Sequence, residues 1–211
     1  MKMAIKALLL SLALMLLCGV IYPLTITGLS QVIFPKQANG SIVEFNGSKV
    51  GSSLLGQSFD DPRFFKGRIS NVNYNTYSQE DLIPDKDGKA TYGGVGSGSA
   101  NLAPSNPALE KRVSKDIDSF LNNNSGIKKE DLPIDIFTSS ASGLDPHISP
   151  ASARLQIASI SKASGIPASS LEGIVNNNIE GRQFGVFGDP RVNVLKLNLE
   201  IAKILKDNGK L

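Results

Sequence analysis

The chain has 211 residues and a formal net charge of +3, to which Lys2 and Lys6 contribute two positive charges. The remaining sequence is close to neutral and contains no basic stripe, which argues against nucleic acid as a partner. Because Cys18 is the single cysteine, the chain offers neither an internal disulfide nor a cluster of thiolates for a metal ion.

A charge-free segment over residues 7–35 dominates the N-terminal part of the chain, and its first half is almost entirely aliphatic. A helix needs about 20 predominantly apolar residues to cross the bilayer core, and we predict a transmembrane helix over residues 7–29. Lys and Arg collect on the cytoplasmic side of a span, so Lys2 and Lys6 place residues 1–6 in the cytoplasm. We therefore expect a single-pass protein of the cell membrane, in contact with lipid, with an extracytoplasmic domain over residues 36–211.

Two alternatives to a permanent anchor are open for this segment. A cleaved signal peptide has a shorter apolar region and a small-x-small cleavage site, and no Ala-x-Ala follows the segment here. A lipoprotein signal would end at Cys18, but Leu17 precedes it, where such sites generally carry a small residue. The sequence favours the permanent anchor.

The domain after the anchor is predicted to begin with a β-hairpin and to continue into a long loop. Asn46-Gly47, between residues 41–45 and 48–50, supplies the two positive φ values of a type I′ turn. Residues 60–106 are rich in Asn, Ser, Gly and Pro, and a loop of this length is usually functional or disordered. We interpret it as a partner-facing excursion, with a mobile linker as the alternative.

Helix start signals follow this loop-rich segment. Asn106-Pro107 and Ser149-Pro150 each combine a capping side chain with a proline suited to the first helical turn. The predicted elements are a helix from 107 to the polar run 122–126, a strand at 133–138, a helix from 150 to about 163 stopped by Gly165 and a short helix near 170–177. The chain ends with the segment 191–194 and a C-terminal helix carrying Leu195, Leu199, Ala202 and Leu205. The fold class is therefore a mixed α/β domain tethered by one N-terminal transmembrane helix.

Two segments resemble catalytic motifs, and neither meets the criteria. The glycine-rich residues 92–100 lack the Lys-Ser/Thr pair with which a phosphate-binding loop opens its helix, so a flexible turn is favoured. Asp145 and His147 lie two residues apart across a proline, which suits a turn more than a Ser-His-Asp triad. One His without Cys does not assemble a zinc site. We interpret residues 139–150 as a rigid connection in which Ser149 caps the next helix.

Seven short blocks, in order along nearly the whole chain, share the pattern of one known family. They are Tyr22-Pro23-Leu24 with Thr27-Gly28 and Gln31; Phe34-Pro35 with 37–41; 56–59; Phe64-Phe65 with Gly67-Arg68 and Ser70; 99–102 with 104–107; 142–150 with Gln156; and 190–194 with Leu197-Asn198. The chain thereby resembles the single-span C subunits of the Kdp-type, ATP-driven potassium-uptake complexes of bacteria and archaea. It departs from the family at Ile69, where Pro is frequent, and at residues 98–101.

This resemblance implies an accessory subunit without a catalytic site or cofactor of its own, in a complex that transports K+. Its partners would be a channel-like potassium-translocating subunit, a P-type ATPase subunit and a small stabilising subunit. Family members are described as catalytic chaperones that raise the ATP affinity of the ATPase subunit, and Gln156 is the nearest match to the Gln proposed to help. Since ATP is scarce outside the cytoplasm, the predicted orientation argues against direct ATP binding.

The competing hypothesis is that the domain docks on the outer mouth of the potassium-translocating subunit, with Tyr74, Tyr77 and Tyr92 as anchors. The alternative from another class is a membrane-tethered extracellular binding or sensor module, and an anchored hydrolase is disfavoured. The remaining family-motif positions, which the resemblance implies to be structural or functional, are Asn39, Gly40, Gln57, Phe59, Arg68, Asn101, Ser105, Asn106, Pro107, Ser142, Gly143, Leu144, Asp145, Ile148, Pro150, Arg191 and Asn193.

Overall fold

A computed structural model describes residues 2–123 and 127–211 of the chain. The chain divides into two compact units, residues 1–52 and residues 53–211. The first unit holds a long apolar helix and a hairpin, and the second combines helices with a small sheet. The predicted mixed α/β class with one N-terminal apolar helix is confirmed.

The apolar helix of the first unit is continuous over Lys2–Ile33. It consists of α1 (Lys2–Leu16), a π-helical turn (Leu17–Ile21) and α2 (Tyr22–Ile33). The helix is long and apolar enough to cross a membrane, and none of the residues in its most apolar stretch is buried. These properties suggest a membrane anchor.

The π-helical turn has a local cause in Pro23. A proline inside a helix lacks the amide hydrogen and crowds the carbonyl of the residue four positions earlier, which is Gly19 here. The backbone widens immediately before it, so that the Tyr22 amide donates to the Leu17 carbonyl, five residues back. The Thr25 hydroxyl donates to the Ile21 carbonyl at 2.8 Å and adds a side-chain hydrogen bond in the same turn.

Side-chain and backbone hydrogen bonds connect the helix to the hairpin within the first unit. A short helix, α3 (Pro35–Ala38), follows α2. The side-chain amide of Asn39 donates through Nδ2 to Gln31 Oε1 at 3.1 Å and to the Pro35 carbonyl at 2.7 Å. The Ser52 hydroxyl donates to the Gly40 carbonyl at 2.7 Å, which closes the far end of the hairpin onto this turn.

The predicted hairpin is confirmed. Strands β1 (Ile42–Phe45) and β2 (Ser48–Ser52) pair antiparallel, with Phe45 opposite Ser48. Asn46 and Gly47 have φ values of +53° and +78°, as a type I′ turn requires.

The second unit contains the remaining α-helices and β-strands. They are α4 (Pro107–Asn123), β3 (His147–Ile148), α5 (Pro150–Ser164), α6 (Ala168–Asn177), β4 (Ile179–Glu180), β5 (Arg191–Asn193) and α7 (Val194–Asp207). The four predicted helices are confirmed, with α4 capped by Asn106 Oδ1 and α5 by the Ser149 side chain. Residues 124–126, where the predicted polar stop of α4 falls, lie outside the described residues.

The core of the second unit lies between its small sheet and helices α5, α6 and α7. The three strands are antiparallel in the order β3-β5-β4, with Ile148 opposite Val192. The fully buried members of the core are led by Phe65, Leu171, Leu197, Ile201 and Leu205. The buried face of α7 differs from the prediction in two ways. Leu197 and Ile201, which were not predicted, are buried, and the predicted Leu199 is only half-buried.

The predicted strand at 133–138 is wrong. Residues Ile134–Ile136 form a 3₁₀ turn in which Ile136 is buried but Ile134 exposes 80% of its surface. The turn directs the carboxylate of Asp135 to the N-terminus of α5, where it accepts hydrogen bonds from Ser149 and Ser152. The segment thereby supplies a carboxylate to the start of the neighbouring helix, and its apolar alternation does not correspond to a strand.

Residues 60–106 contain two 3₁₀ turns, Asn73–Asn75 and Glu80–Leu82, and are otherwise irregular. Phe65 in this segment is nevertheless fully buried in the core of the second unit. The N-terminal part of the segment is thus an integral part of the fold.

Candidate functional site

The ion pair between Arg68 and Asp145 links the irregular segment to the loop before β3. Arg68 Nη1 lies 3.2 Å from Asp145 Oδ2, and Arg68 Nη2 donates to Thr138 Oγ1 at 3.1 Å. The other Asp145 oxygen, Oδ1, accepts the His147 amide at 3.0 Å and lies 3.4 Å from His147 Nδ1. Asp145 therefore bonds to a distant cation and to its own turn at the same time.

This arrangement shifts two pKa values in opposite directions. Burial raises the pKa of Asp145, but the hydrogen bonds from His147 and the pairing with Arg68 outweigh it, so the pKa lies below the ordinary value. For Tyr74, burial together with the negative charge of Asp145 raises the pKa to about 12. Asp145 is therefore ionised at neutral pH and Tyr74 is a neutral hydrogen-bond donor.

Residues 142–144 accept hydrogen bonds through their carbonyls from three separate parts of the chain, at residues 56, 70 and 98. The amides of Gly98 and Gly56 donate to the carbonyls of Ser142 and Leu144, each at 2.8 Å. The Ser70 hydroxyl donates to the Gly143 carbonyl at 2.6 Å. These three hydrogen bonds, together with the Arg68–Asp145 pair, form what we call the 142–147 hub.

Two glycines make the close packing of this hub possible. Gly143 has a φ of +68°, and a Cβ there would lie 2.7 Å from Val72 Cγ2 and 2.9 Å from the Gly98 carbonyl. A Cβ on Gly56 would lie 2.5 Å from Tyr74 Cε1. Only the absence of a side chain allows these segments to approach.

Amide side chains fix the backbone of residues 65–66 from two helices. Asn198 on α7 accepts the Phe65 amide at 2.8 Å and donates to the Phe65 carbonyl at 2.9 Å. Gln156 on α5 does the same for Lys66, at 2.8 Å and 3.1 Å. Each amide thus reproduces the two hydrogen bonds of a strand partner, and Asn198 satisfies backbone groups of the fully buried Phe65 that the core would otherwise leave unpaired.

Helices α4 and α5 border a cleft of about 630 Å³, a volume typical of small-molecule sites. Its walls include the aromatic side chains of Phe64, Phe120 and Phe137 and the charged side chains of Lys66 and Asp116. The rings of Phe120 and Phe137 meet edge to face with 5.6 Å between centroids.

Comparisons with known proteins decide the family. Residues 4–203 match the family described as KdpC, the K+-transporting ATPase c chain. The chain belongs to the KdpC family. A Clostridioides difficile protein named potassium-transporting ATPase KdpC subunit is 60% identical over 205 residues, which cover 97% of this chain and 99% of that protein.

Two further relatives with the same name support the family assignment. The Clostridium kluyveri protein is 60% identical over 95% of this chain and 93% of its own length. The protein of Caldanaerobacter subterraneus subsp. tengcongensis is 44% identical over 95% of this chain and 94% of its own length. The resemblance inferred from the sequence blocks is thereby confirmed.

Most of the predicted KdpC-motif positions have structural surroundings that can be named. Arg68, Ser142, Gly143, Leu144 and Asp145 meet in the 142–147 hub. Asn193 caps α7 by accepting the Lys196 amide at 3.2 Å and donates to the Ser53 carbonyl at 2.8 Å. Two further positions lie at the start of α4, where Asn106 is the cap and Pro107 is exposed. Ile148 is buried in β3, and Pro150 is the first residue of α5. Gln57 and Phe59 are both half-buried.

The remaining motif positions are not among the residues that form the hub. Asn39 and Gly40 belong to the first unit, in the turn between α3 and the hairpin. Asn101 and Ser105 are exposed, and Asn101 has a φ of +50° with its Oδ1 accepting the Ser99 hydroxyl at 2.8 Å. Arg191 is exposed on β5 and lies 3.2 Å from Glu180.

Gln156, the residue implied for nucleotide action, is 6% exposed. Its amide oxygen accepts from Lys66, and its amide nitrogen donates to the carbonyls of Lys66 and Ser152. Gln156 also lines the cleft between α4 and α5, but both polar atoms of its side-chain amide are already hydrogen-bonded within the chain.

The three tyrosines proposed as anchors differ in their surroundings. Tyr74 is half-buried, and its hydroxyl donates to the Arg68 carbonyl. Tyr77 is 49% exposed and stacks on the half-buried Tyr92 with 4.3 Å between centroids. The geometry thus leaves Tyr77 as the most accessible of the three.

The sequence gives Asn198 only as part of a family block and does not single out Asp135, and the role of neither residue is predicted. Asn198 is 3% exposed in the middle of an apolar helix face, and a polar residue at such a position is itself a signal. The capping role of Asp135 is not predicted, because the pattern of residues 133–138 indicates a strand and gives Asp135 no contact with α5. Among residues 2–123 and 127–211, no three His, Cys, Asp or Glu side chains form a group that could hold a metal.

Proposed function

We propose that this chain is a membrane-anchored accessory subunit that supports the assembly of a multi-subunit, ATP-driven potassium-transporting complex. The observation that carries the proposal is family membership over residues 4–203, together with an exposed apolar helix at Lys2–Ile33. In this proposal the N-terminus is cytoplasmic and the second unit is extracytoplasmic, because Lys2 and Lys6 precede the apolar segment.

The partners in this proposal are a channel-like potassium-translocating subunit, a P-type ATPase subunit and a small stabilising subunit. The second unit docks on the outer side of the potassium-translocating subunit, and K+ is the transported ion. Any effect on the ATPase subunit, including a rise in its affinity for ATP, is then transmitted through the assembled complex.

ATP acts through the partner ATPase subunit in this proposal and does not bind the chain directly. Two observations support this. The Gln156 amide is already committed to the Lys66 backbone, and the proposed orientation removes the second unit from cytoplasmic ATP. Equilibrium binding of ATP to the full chain in detergent is expected to be undetectable at micromolar concentrations. A micromolar dissociation constant that Gln156→Ala weakens would contradict this part of the proposal.

The assembly role is tested by purification of the tagged full chain from potassium-starved cells in a mild detergent. We expect a P-type ATPase subunit and a polytopic subunit to accompany it in stoichiometric amounts, identified by mass spectrometry. Recovery of the well-folded chain alone would reject the assembly role.

The cleft of about 630 Å³ between α4 and α5 favours a second candidate function. A membrane-tethered binding module would use such a cleft for a small ligand without a polytopic partner. Recovery of the chain alone in the purification would favour this candidate.

A further inference from the structure

The loop between β4 and β5 displays apolar side chains to solvent. Phe184, Val186 and Phe187 expose 88%, 68% and 66% of their surfaces, although they lie within four consecutive residues. We call these four residues, 184–187, the tip. Exposed single apolar residues are ordinary on protein surfaces, but a contiguous group marks a place of contact.

The backbone of the tip is held in a fixed conformation. The Gln183 amide donates to the Phe187 carbonyl at 2.8 Å, and the Phe187 amide donates to the Gln183 carbonyl at 2.9 Å. Phe184 has a φ of +52°, a conformation uncommon for an aromatic residue. Strained backbone of this kind clusters at ligand clamps and other functional positions. The tip therefore presents its side chains in a preformed arrangement, which lowers the entropic cost of binding.

The charges around the tip favour a protein partner over a lipid surface. Arg182 lies 3.2 Å from Asp189, and Glu180 lies 3.2 Å from Arg191 and 2.8 Å from Lys196. These three cations lie beside two carboxylates, whereas a segment that inserts into anionic lipid is rich in Lys and Arg around its apolar residues. An apolar centre with a polar rim is the usual anatomy of a protein interface.

The size of the tip indicates where this partner must reside. A stable interface between free proteins buries about 800 Å² on each side, which three side chains do not approach. A second copy of the chain held by the tip alone would therefore dissociate. A partner in the same membrane avoids this limit, because the anchor helix raises its effective concentration.

We propose that the tip is a docking anchor that inserts Phe184 and Phe187 into an apolar pocket on the extracytoplasmic surface of a membrane-embedded subunit of the same complex. This inference rests on the proposed function, which supplies both the shared membrane and the orientation. The tip makes that proposal more specific, because it names the surface of this chain that contacts the partner. This surface differs from the tyrosines predicted as anchors in the loop-rich segment.

The first test compares variants of the tagged full chain in the detergent purification described above. Phe184→Ser combined with Phe187→Ser is expected to lower recovery of the polytopic subunit about tenfold, as truncation of buried aromatic anchors does. Ile134→Ser is the matched control, because this residue is 80% exposed elsewhere in the second unit, and it should leave recovery unchanged. Equal recovery with the tip variant and the wild type would overturn the proposal.

Photocrosslinking identifies what the tip contacts. We expect p-benzoylphenylalanine at position 184 of the full chain in native membranes to crosslink the polytopic subunit, and the same probe at position 134 not to do so. Crosslinks only to lipid, only to a second copy of the chain, or to nothing while the wild type still co-purifies with its partners, would each reject the tip as the anchor. If the wild type itself purifies alone, the proposed function fails first, so the two failures are distinguishable.

Discussion

Asp145 shows how one carboxylate connects two distant parts of the chain. It pairs with Arg68, 77 residues away, and also accepts the amide of His147 in its own turn. The ion pair requires the ionised form and the hydrogen bonds favour it, and the pKa of Asp145 is accordingly lowered despite the burial that opposes it.

Asp145→Asn is expected to lower the free energy of unfolding by roughly 1–3 kcal/mol at pH 7, because the half-buried Arg68 charge loses its partner. The folded-state pKa lies below the unfolded-state value of about 3.9, so this stabilisation is full above about pH 5 and is lost as the pH falls through the folded-state pKa. Thermal unfolding should be followed by tyrosine circular dichroism, since the chain has no Trp.

The control for this comparison is Asp118→Asn, at an exposed position on α4. The difference in melting temperature between wild type and Asp145→Asn should shrink below pH 4, whereas Asp118→Asn should change little at any pH. A difference for Asp145→Asn that stays constant from pH 7 to pH 3 would contradict the role of the ionised carboxylate.

Gly143 is expected to tolerate no side chain. Gly143→Ala would combine an unfavourable φ of +68° with a Cβ 2.7 Å from Val72 Cγ2, and should cost about 2–4 kcal/mol of stability. Gly173→Ala in α6 is the matched control, because a Cβ there meets nothing within 4 Å. It should be neutral or stabilising by up to about 1 kcal/mol, since alanine favours helices. Similar losses for both variants in urea denaturation would refute this explanation.

Among the elements, helices α5 and α7 each supply a side-chain amide that hydrogen-bonds both the N–H and the C=O of one residue in 65–66, as a neighbouring strand would. Asn198→Ala should cost about 2–3 kcal/mol, because Phe65 is fully buried and its amide and carbonyl would lose their partners. Gln156→Ala should cost only about 1 kcal/mol, because Lys66 is exposed and water can replace the amide.

Hydrogen exchange measured by mass spectrometry distinguishes a local effect from general loosening. The peptide that contains Phe65 should exchange faster in Asn198→Ala, while Asn122→Ala, at an exposed position on α4, should exchange like the wild type. We call the Asn198 and Gln156 contacts with residues 65–66 the amide clamps. If Gln156→Ala destabilised the protein more than Asn198→Ala, the exposure of the clamped residue would not determine the loss of stability.

The success of sequence-based prediction varied among the elements for a physical reason. The Asn46-Gly47 turn and the caps at Asn106 and Ser149 were predictable because their signals are local, within four residues. The amide clamps and the capping of α5 by Asp135 join residues 14 to 133 positions apart. No local pattern encodes such partners, so the conformation of residues 133–138 was predicted incorrectly.

At the scale of the whole molecule, the irregular parts of the second unit are held by polar contacts between distant residues. Arg63 near the start of that unit donates to the Lys210 carbonyl at 2.8 Å, across 147 residues. Within the described residues, no buried side-chain nitrogen or oxygen lacks a hydrogen-bond partner. Full satisfaction of buried polar groups is typical of a uniquely folded protein, even where regular secondary structure is sparse.

The proposed orientation predicts which parts of the chain an impermeant reagent reaches. In a Cys18→Ser background, Val95→Cys should react with a membrane-impermeant maleimide in intact protoplasts, because residue 95 is 87% exposed in the second unit. Met3→Cys should react only after the membrane is permeabilised. The reverse pattern would place the second unit in the cytoplasm and would remove the objection to direct ATP binding.

The π-helical turn at Leu17–Ile21 has a consequence for how the anchor meets its neighbours. Such a turn accommodates one extra residue, and one residue of α-helix corresponds to a rotation of about 100° around the axis. A stripe of side chains that faces one way along α1 is therefore out of phase with the same stripe along α2. A straight helix packed along the anchor would therefore meet one stripe of side chains along α1 and a different one along α2.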